Sequence, residues 1–263
     1  MSYENRYSYI PQTVLITGAT GDFGQAFAER FAALGCRLVL AGRNERKVKT
    51  LASNLESSFN SKIHSCVFDM KDKAGMKAAL DALPAEFAAV DLLINNAGLG
   101  LGLEPAYECS LEDWETMISV NNTAMVQMTR FILPGMVERR RGHVINIGST
   151  AGSYPYPGGN VYCATKAFVK QFSLSLRADL TGTKVRVSNI EPGMIETQFS
   201  RVRFKGDDEK ARKVYENTDN LHTEDVAEAV VWCATLPPVF NVNRIEIMPT
   251  TQSFGPLAVE RFD

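Results

Sequence analysis

The chain has 263 residues, of which 45% are hydrophobic and 22% charged, and a formal net charge of −2. That length supports one large α/β domain or two small ones, and the charge balance gives no basis for a nucleic acid or an anionic membrane as partner. No stretch approaches the roughly 18 consecutive apolar residues that a membrane span needs, and the opening MSYENRYSYIPQ lacks a signal-peptide core, so a cytoplasmic protein is expected.

Residues 1–11 read as a tail, and 12–263 as one domain. The first strand, TVLIT at 13–17, runs into a glycine-rich turn, TGATGDFG at 17–24, and then a helical pattern at 23–34. A dinucleotide site needs a tight turn, close backbone approach to a pyrophosphate and a helix N-terminus aimed at it. Gly18, Gly21 and Gly24 can supply these. Asp22 is out of character there. It is expected to cap the helix or point to solvent, and to weaken cofactor binding modestly by repulsion.

The second strand, 37–41, ends in LAGRN. An acid near this point would select NAD, but the chain has Gly42, Arg43 and Asn44. A guanidinium favours the 2′-phosphate of NADP; the alternative is that Arg43 begins a solvated helix over 44–58. The third strand, 63–68, leads to Asp69 and Met70. Asp69 can accept from an adenine amino group or cap the helix over 73–83.

A strand at 90–95 reaches NNAG at 95–98. A long helical pattern then covers 111–140 and carries Asn121, Asn122 and the stripe Met117, Met125, Met128 and Met136, read as core or subunit interface. The fifth strand, 143–148, ends at Ser149, and a helix over 161–180 carries Tyr162 and Lys166. The sixth strand, 185–190, precedes a polar, charged segment at 194–222, a candidate mobile lid. A helix at 223–236 and a strand at 244–248 close the chain. Short apolar strands alternating with helices indicate a Rossmann-type, doubly wound parallel sheet of seven strands, covered by about six main helices on both faces. The five scattered cysteines (Cys36, Cys66, Cys109, Cys163, Cys233) read as reduced thiols, and the isolated His64, His143 and His222 give no basis for a metal site.

TGATGDFG, NNAG, Asn121, Ser149 and Tyr162-x-x-x-Lys166, in this order, resemble the short-chain dehydrogenase/reductase family in its compact single-domain branch, over nearly the whole chain. More narrowly, NNAGLGLGLEPA, SLEDWETMI, INIGSTAGSYPYPGGNVYCATKAF, FSRVRFKGDD and IMPTTQSF resemble the NADP-dependent 3-hydroxy acid dehydrogenases, a group with serine and allo-threonine dehydrogenases and malonic semialdehyde reductases. The resemblance implies an NADP(H)-dependent oxidoreductase of a small hydroxy acid or its semialdehyde, and a homotetramer formed through the long helices and the C-terminal segment. The alternatives are a reductase of another carbonyl class (3-ketoacyl thioester, sugar or steroid ketone) or a nucleotide-sensing regulator, which would be expected to lose Tyr162 or Lys166.

Tyr162 and Lys166 lie one helical turn apart, so the ammonium is expected to lower the phenol's pKa and let it carry a proton. Ser149 can hydrogen-bond the substrate oxygen. The resemblance further implies that Lys166 holds the nicotinamide ribose and that Asn121 continues a proton relay. It also implies a cofactor set of Gly18, Thr20, Gly21, Asp22, Phe23, Gly24, Arg43, Asn44, Asp69, Met70, Asn96, Ala97, Gly98, Tyr162, Lys166, Pro192, Gly193, Ile195 and Thr197. An acid substrate needs a cation at its carboxylate, and Arg203 or Lys205 is expected to provide it. The competing reading of that segment is a solvated charge run.

Overall fold

The computed structural model describes residues 9–255. Seven parallel strands form one sheet in the order β3-β2-β1-β4-β5-β6-β7. They are β1 (Thr13–Thr17), β2 (Arg37–Gly42), β3 (Ile63–Val67), β4 (Leu92–Asn95), β5 (Gly142–Ile147), β6 (Val185–Pro192) and β7 (Arg244–Ile247). Each lies within a residue or two of its sequence expectation. The helices are α1 (Asp22–Ala33), α2 (Glu45–Phe59), α3 (Lys73–Asp81), the short α4 (Ala85–Ala88), α5 (Leu111–Ile118), α6 (Met125–Glu138), α7 (Asn160–Asp179), α8 (Gln198–Arg203), α9 (Asp208–Lys213) and α10 (Thr223–Thr235).

Successive strand residues feed two cores. Val14 and Ile16 pack with Phe27 and Phe31 of α1, Leu51 and Leu55 of α2, and Val226 and Val230 of α10. Leu15, Val39 and Leu93 pack on the other face with Met76 of α3, Met128 and Met136 of α6, and Leu176 of α7. A strand buried on both faces has no polar side to show. That is why these segments read as continuous apolar runs. Met117, Met125, Met128 and Met136 are all buried, so the methionine stripe is core.

The 111–140 stretch departs from a single α-helix. Between α5 and α6, residues Ser119–Ala124 form a π-helical turn. The wider turn swings Asn121 inward, and both Asn121 and Asn122 are buried. Such turns in an α-helix cost hydrogen-bond geometry and recur at functional positions. The segment 194–222 is partly ordered, by α8, α9 and a bridge between Ile195 and Leu221. Of the tail, residues 1–8 lie outside the described residues; Tyr9 docks with its ring over the Arg186 guanidinium, 5.5 Å away.

Strand order reverses between β1 and β4, and the crevice beyond their carboxyl ends is where such sheets bind ligands. The candidate site residues sit at or after the carboxyl ends of strands β1 to β6.

Candidate active site

The glycine turn is built by close approach. Gly18 has φ +63°, a left-handed conformation that glycine adopts without strain. A Cβ on Gly24 would stand 2.7 Å from Ala19 Cα and closer still to the Gly18 carbonyl, so α1 lies directly on the turn. Thr17 then knots β1 to β4. Its hydroxyl accepts from Asn96 N and Ala97 N at 3.0 Å each, while Asn96 Nδ2 donates to the carbonyls of Thr17 and Gly18. Asn95 turns inward to Thr129 Oγ1 and Asn146 Oδ1. The NNAG segment is thus held on the turn by its side chains. Thr17 was not singled out from sequence; the available signal was a hydroxyl ending an otherwise apolar strand.

At the end of β2, Arg43 is exposed. The Glu45 carboxylate beyond it is engaged with Lys49 at 2.6 Å, and among the described residues Arg43 forms no ion pair. Asn44 caps α2, accepting from Lys47 N at 3.0 Å. Asp69 does not cap α3: that role falls to Asp72, which accepts from Gly75 N, while Asp69 accepts from Lys71 N at 2.8 Å.

Asp22 corrects both of its expectations. Gly21 holds the N-cap position of α1 with no side-chain bond. Asp22 is the first helical residue, and from there its carboxylate projects outward to accept from Gln198 N at 2.6 Å. It bonds to the 194–222 segment, neither free in solvent nor capping its own helix.

Around the crevice, α7 brings Tyr162 and Lys166 onto one face, with Lys166 Nζ 5.9 Å from the Tyr162 ring centroid. Nζ donates to Ile147 O at 2.9 Å. A Cβ on Gly98 would lie 3.3 Å from Asn121 Oδ1 and 3.6 Å from Lys166 Nζ, so these three converge. Asn121 donates to Leu99 O (2.8 Å) and Thr165 Oγ1 (3.1 Å) and accepts from Leu99 N (2.9 Å). It holds the loop after β4 against α7. Ser149 follows β5, and its Oγ accepts from Ala151 N at 3.1 Å, which leaves its own proton free to donate. The serine is at once a turn residue and a neighbour of the phenol.

The proton affinities run against one expectation. Tyr162 is raised above the ordinary phenol value, first by burial and then by Tyr156, while Arg203 and the Ser149 hydroxyl oppose the rise. Burial pulls Lys166 itself down to about 8, and its amine is turned to Ile147 O, so burial outweighs what its charge does for the phenol. The nearer cation at the phenol is the Arg203 guanidinium, 4.8 Å from the Tyr162 ring, 4.7 Å from Phe199 and 5.8 Å from Tyr156. Phe199 packs on Tyr162 with ring centroids 5.4 Å apart. Gly100 gives them room, since a Cβ there would meet Phe199 Cζ and Arg203 Nη2 at 2.7 Å each. Arg203 Nε is buried with no partner among the described residues. Lys205 is held by Asp113 at 2.8 Å, so of the two cations Arg203 is the one at the phenol. Phe199 and Tyr156, like Thr17, are site residues that the sequence does not single out.

Along β6, Pro192 is buried, and Gly193 N donates to Ile247 O at 2.7 Å. Thr197 caps α8, accepting from Phe199 N at 3.3 Å. The crevice therefore fits a dinucleotide phosphate. It offers a left-handed glycine turn, a helix N-terminus set on it without a side-chain cap, and an exposed guanidinium at the end of the next strand.

A short chain dehydrogenase family model matches residues 12–208. The NADP-dependent 3-hydroxy acid dehydrogenase YdfG of Salmonella typhi is 55% identical over 94% of this chain and 99% of its own. Sulfoacetaldehyde reductase 2 of Chromohalobacter salexigens is 47% identical over 94% and 98%. A serine dehydrogenase solved in its closed form with NADP+ superposes with a TM-score of 0.90, at 54% identity and covering 95% and 99%.

Proposed function

The chain belongs to the short-chain dehydrogenase family, and we propose that it is an NADP(H)-dependent oxidoreductase of a small 3-hydroxy acid or the corresponding semialdehyde. The single observation that carries the substrate class is Arg203. A guanidinium whose buried Nε has no partner among the described residues stands over the phenol that faces Ser149. A cation so placed suits an oxyanion, a carboxylate above all, a few ångströms from a carbonyl or alcohol at Tyr162. The named relatives act on substrates of that kind, and sulfoacetaldehyde also pairs an aldehyde with an anion. A bulky ketone or thioester is disfavoured by Phe199 and Arg203 packed against Gly100, and a mere sensor by the retained Tyr162 and Lys166.

Bound NADP(H) supplies the hydride or takes it up. Tyr162 gives its proton to the carbonyl oxygen in reduction and receives it back in oxidation. Ser149 donates to the same oxygen and Arg203 fixes the acid group. Lys166 and Asn121 hold the phenol's helix and the loop after β4 in register. For the cofactor we propose the glycine turn (Gly18 to Gly24, with Thr20 and Phe23), Arg43 with Asn44 on the 2′-phosphate, and Asp69 with Met70 beside the adenine. Asn96 to Gly98, Pro192, Gly193, Ile195 and Thr197 complete the set, and 194–222 serves as the lid.

The decisive assay is spectrophotometric: NADPH consumption with malonic semialdehyde, and NADP+ reduction with serine and 3-hydroxypropionate. Turnover of these acids, with their neutral analogues used poorly, is expected; turnover of neutral carbonyls alone would remove the substrate assignment. Arg43→Ala is expected to weaken NADPH binding about 10- to 100-fold, the worth of a charge-assisted contact, and to leave NADH binding unchanged. Fluorescence titration with both nucleotides reads the difference.

We further propose a cytoplasmic homotetramer. The free cysteines suit a reducing compartment. Ile118 on α5 and Phe168 and Leu174 on α7 are exposed apolar residues on the long helices expected to pair between copies. Light scattering reads the assembly directly.

A further inference from the structure

We infer that Asp22 is a positioning residue for the substrate, anchoring the lid helix α8 to the cofactor turn. The inference rests on the lid reading above. Asp22 and Gln198 are 176 residues apart in sequence, yet the carboxylate takes the first amide of α8 at 2.6 Å. The next amide, Phe199 N, is taken by Thr197 Oγ1. A helix leaves its first amides without internal partners; here one is satisfied locally and the other from across the crevice.

What α8 carries explains the anchor. Phe199 and Arg203 are four residues apart, on one helical face, and that face covers Tyr162. The far end of α8 is tied separately: Gly102 N donates to Arg203 O at 3.0 Å, and Lys205 pairs with Asp113. With one end held by the loop after β4 and by α5, and the other by Asp22, the guanidinium has little freedom to swing away from the phenol. The acid in the phosphate-binding turn thus serves the opposite partner. It gives up some electrostatic attraction for the dinucleotide and steadies the group that grips the substrate's anion. Its charge faces an amide donor, which also moderates the repulsion it would otherwise direct at a phosphate.

Two variants separate acceptor from charge. Asp22→Ala removes both; Asp22→Asn keeps an oxygen for Gln198 N and removes the charge. Limited trypsinolysis of the cofactor-free protein reads lid anchoring at Arg201, Arg203 and Lys205. Cleavage there is expected to quicken roughly three- to tenfold in Asp22→Ala, the range of one partly exposed hydrogen bond, and to return to the parent rate in Asp22→Asn. In steady state with saturating cofactor, KM for the hydroxy acid should rise by a similar factor in Asp22→Ala, and Asp22→Asn should restore it. NADPH should bind Asp22→Asn more tightly than the parent. Parental trypsinolysis in Asp22→Ala overturns the anchor, as does an Asp22→Asn protein that behaves like Asp22→Ala. The proteolysis arm needs no substrate, so it stands or falls apart from the assigned reaction.

Discussion

Replacing Tyr162 with Phe should lower turnover in both directions by about 10²–10⁴-fold, the usual worth of a positioned general acid, while NADPH binding changes little. The substitution keeps the ring that Phe199 and Arg203 pack against and removes only the oxygen beside Ser149. Folding and lid packing should therefore survive, and the loss should fall on kcat. The pH dependence follows from the sign of the shift. Burial raises the phenol's pKa, so its neutral form persists past the ordinary value of about 10. Reduction needs the proton present and should be level through the neutral range. Oxidation needs the oxygen free to accept a proton and should climb with pH. Lys166 keeps its charge up to about 8, so the ammonium is in place across neutral pH. Stopped-flow rates in both directions, from neutral to alkaline buffer, test this. A Tyr162→Phe protein as fast as the parent would leave the mechanism without its proton carrier.

Arg203→Ala should raise KM for the acid substrate about 10- to 100-fold, from loss of a charge-assisted contact. The effect on a neutral aldehyde of the same length should be small. Arg203→Lys should recover only part of the loss, since an ammonium lacks the planar fork and stacks less well on Tyr162 and Phe199. Lys205→Ala, by contrast, removes the tie to Asp113 and leaves the guanidinium over the phenol, so its effect on KM should be the smaller of the two. Paired steady-state measurements on an acid and its neutral analogue separate anion recognition from general damage to the lid. An unchanged KM for the acid in Arg203→Ala would take that residue out of the binding site.

The central strands β1, β2 and β4 were legible because burial on both faces leaves an apolar signature, and the glycine turn, NNAG and Tyr162–Lys166 because each is a local spacing. What the sequence hid depends on partners far along the chain. The π turn at Ser119–Ala124 is held by Asn121 bonding to Leu99 and Thr165, neither of which its own neighbourhood reveals. Arg203 and Lys205 look alike as charges; they differ because Asp113 of α5 takes one of them. The net rise at the phenol, despite Lys166 one turn away, has a similar cause. A one-turn spacing puts two groups on the same face, but desolvation and the pull of Ile147 O decide how much charge is delivered.

The widened turn before α6 also sets a phase. An α-helix advances about 100° per residue, so α6 leaves the π turn at an angle fixed by the number of residues wound into it. Removing one residue from 119–124 would mend the hydrogen-bond ladder and rotate Met125, Met128 and Met136 by more than a quarter turn, out of the core they fill. The inward asparagine and the packing behind it are therefore tied to one count of residues, and neither can be gained or lost without the other.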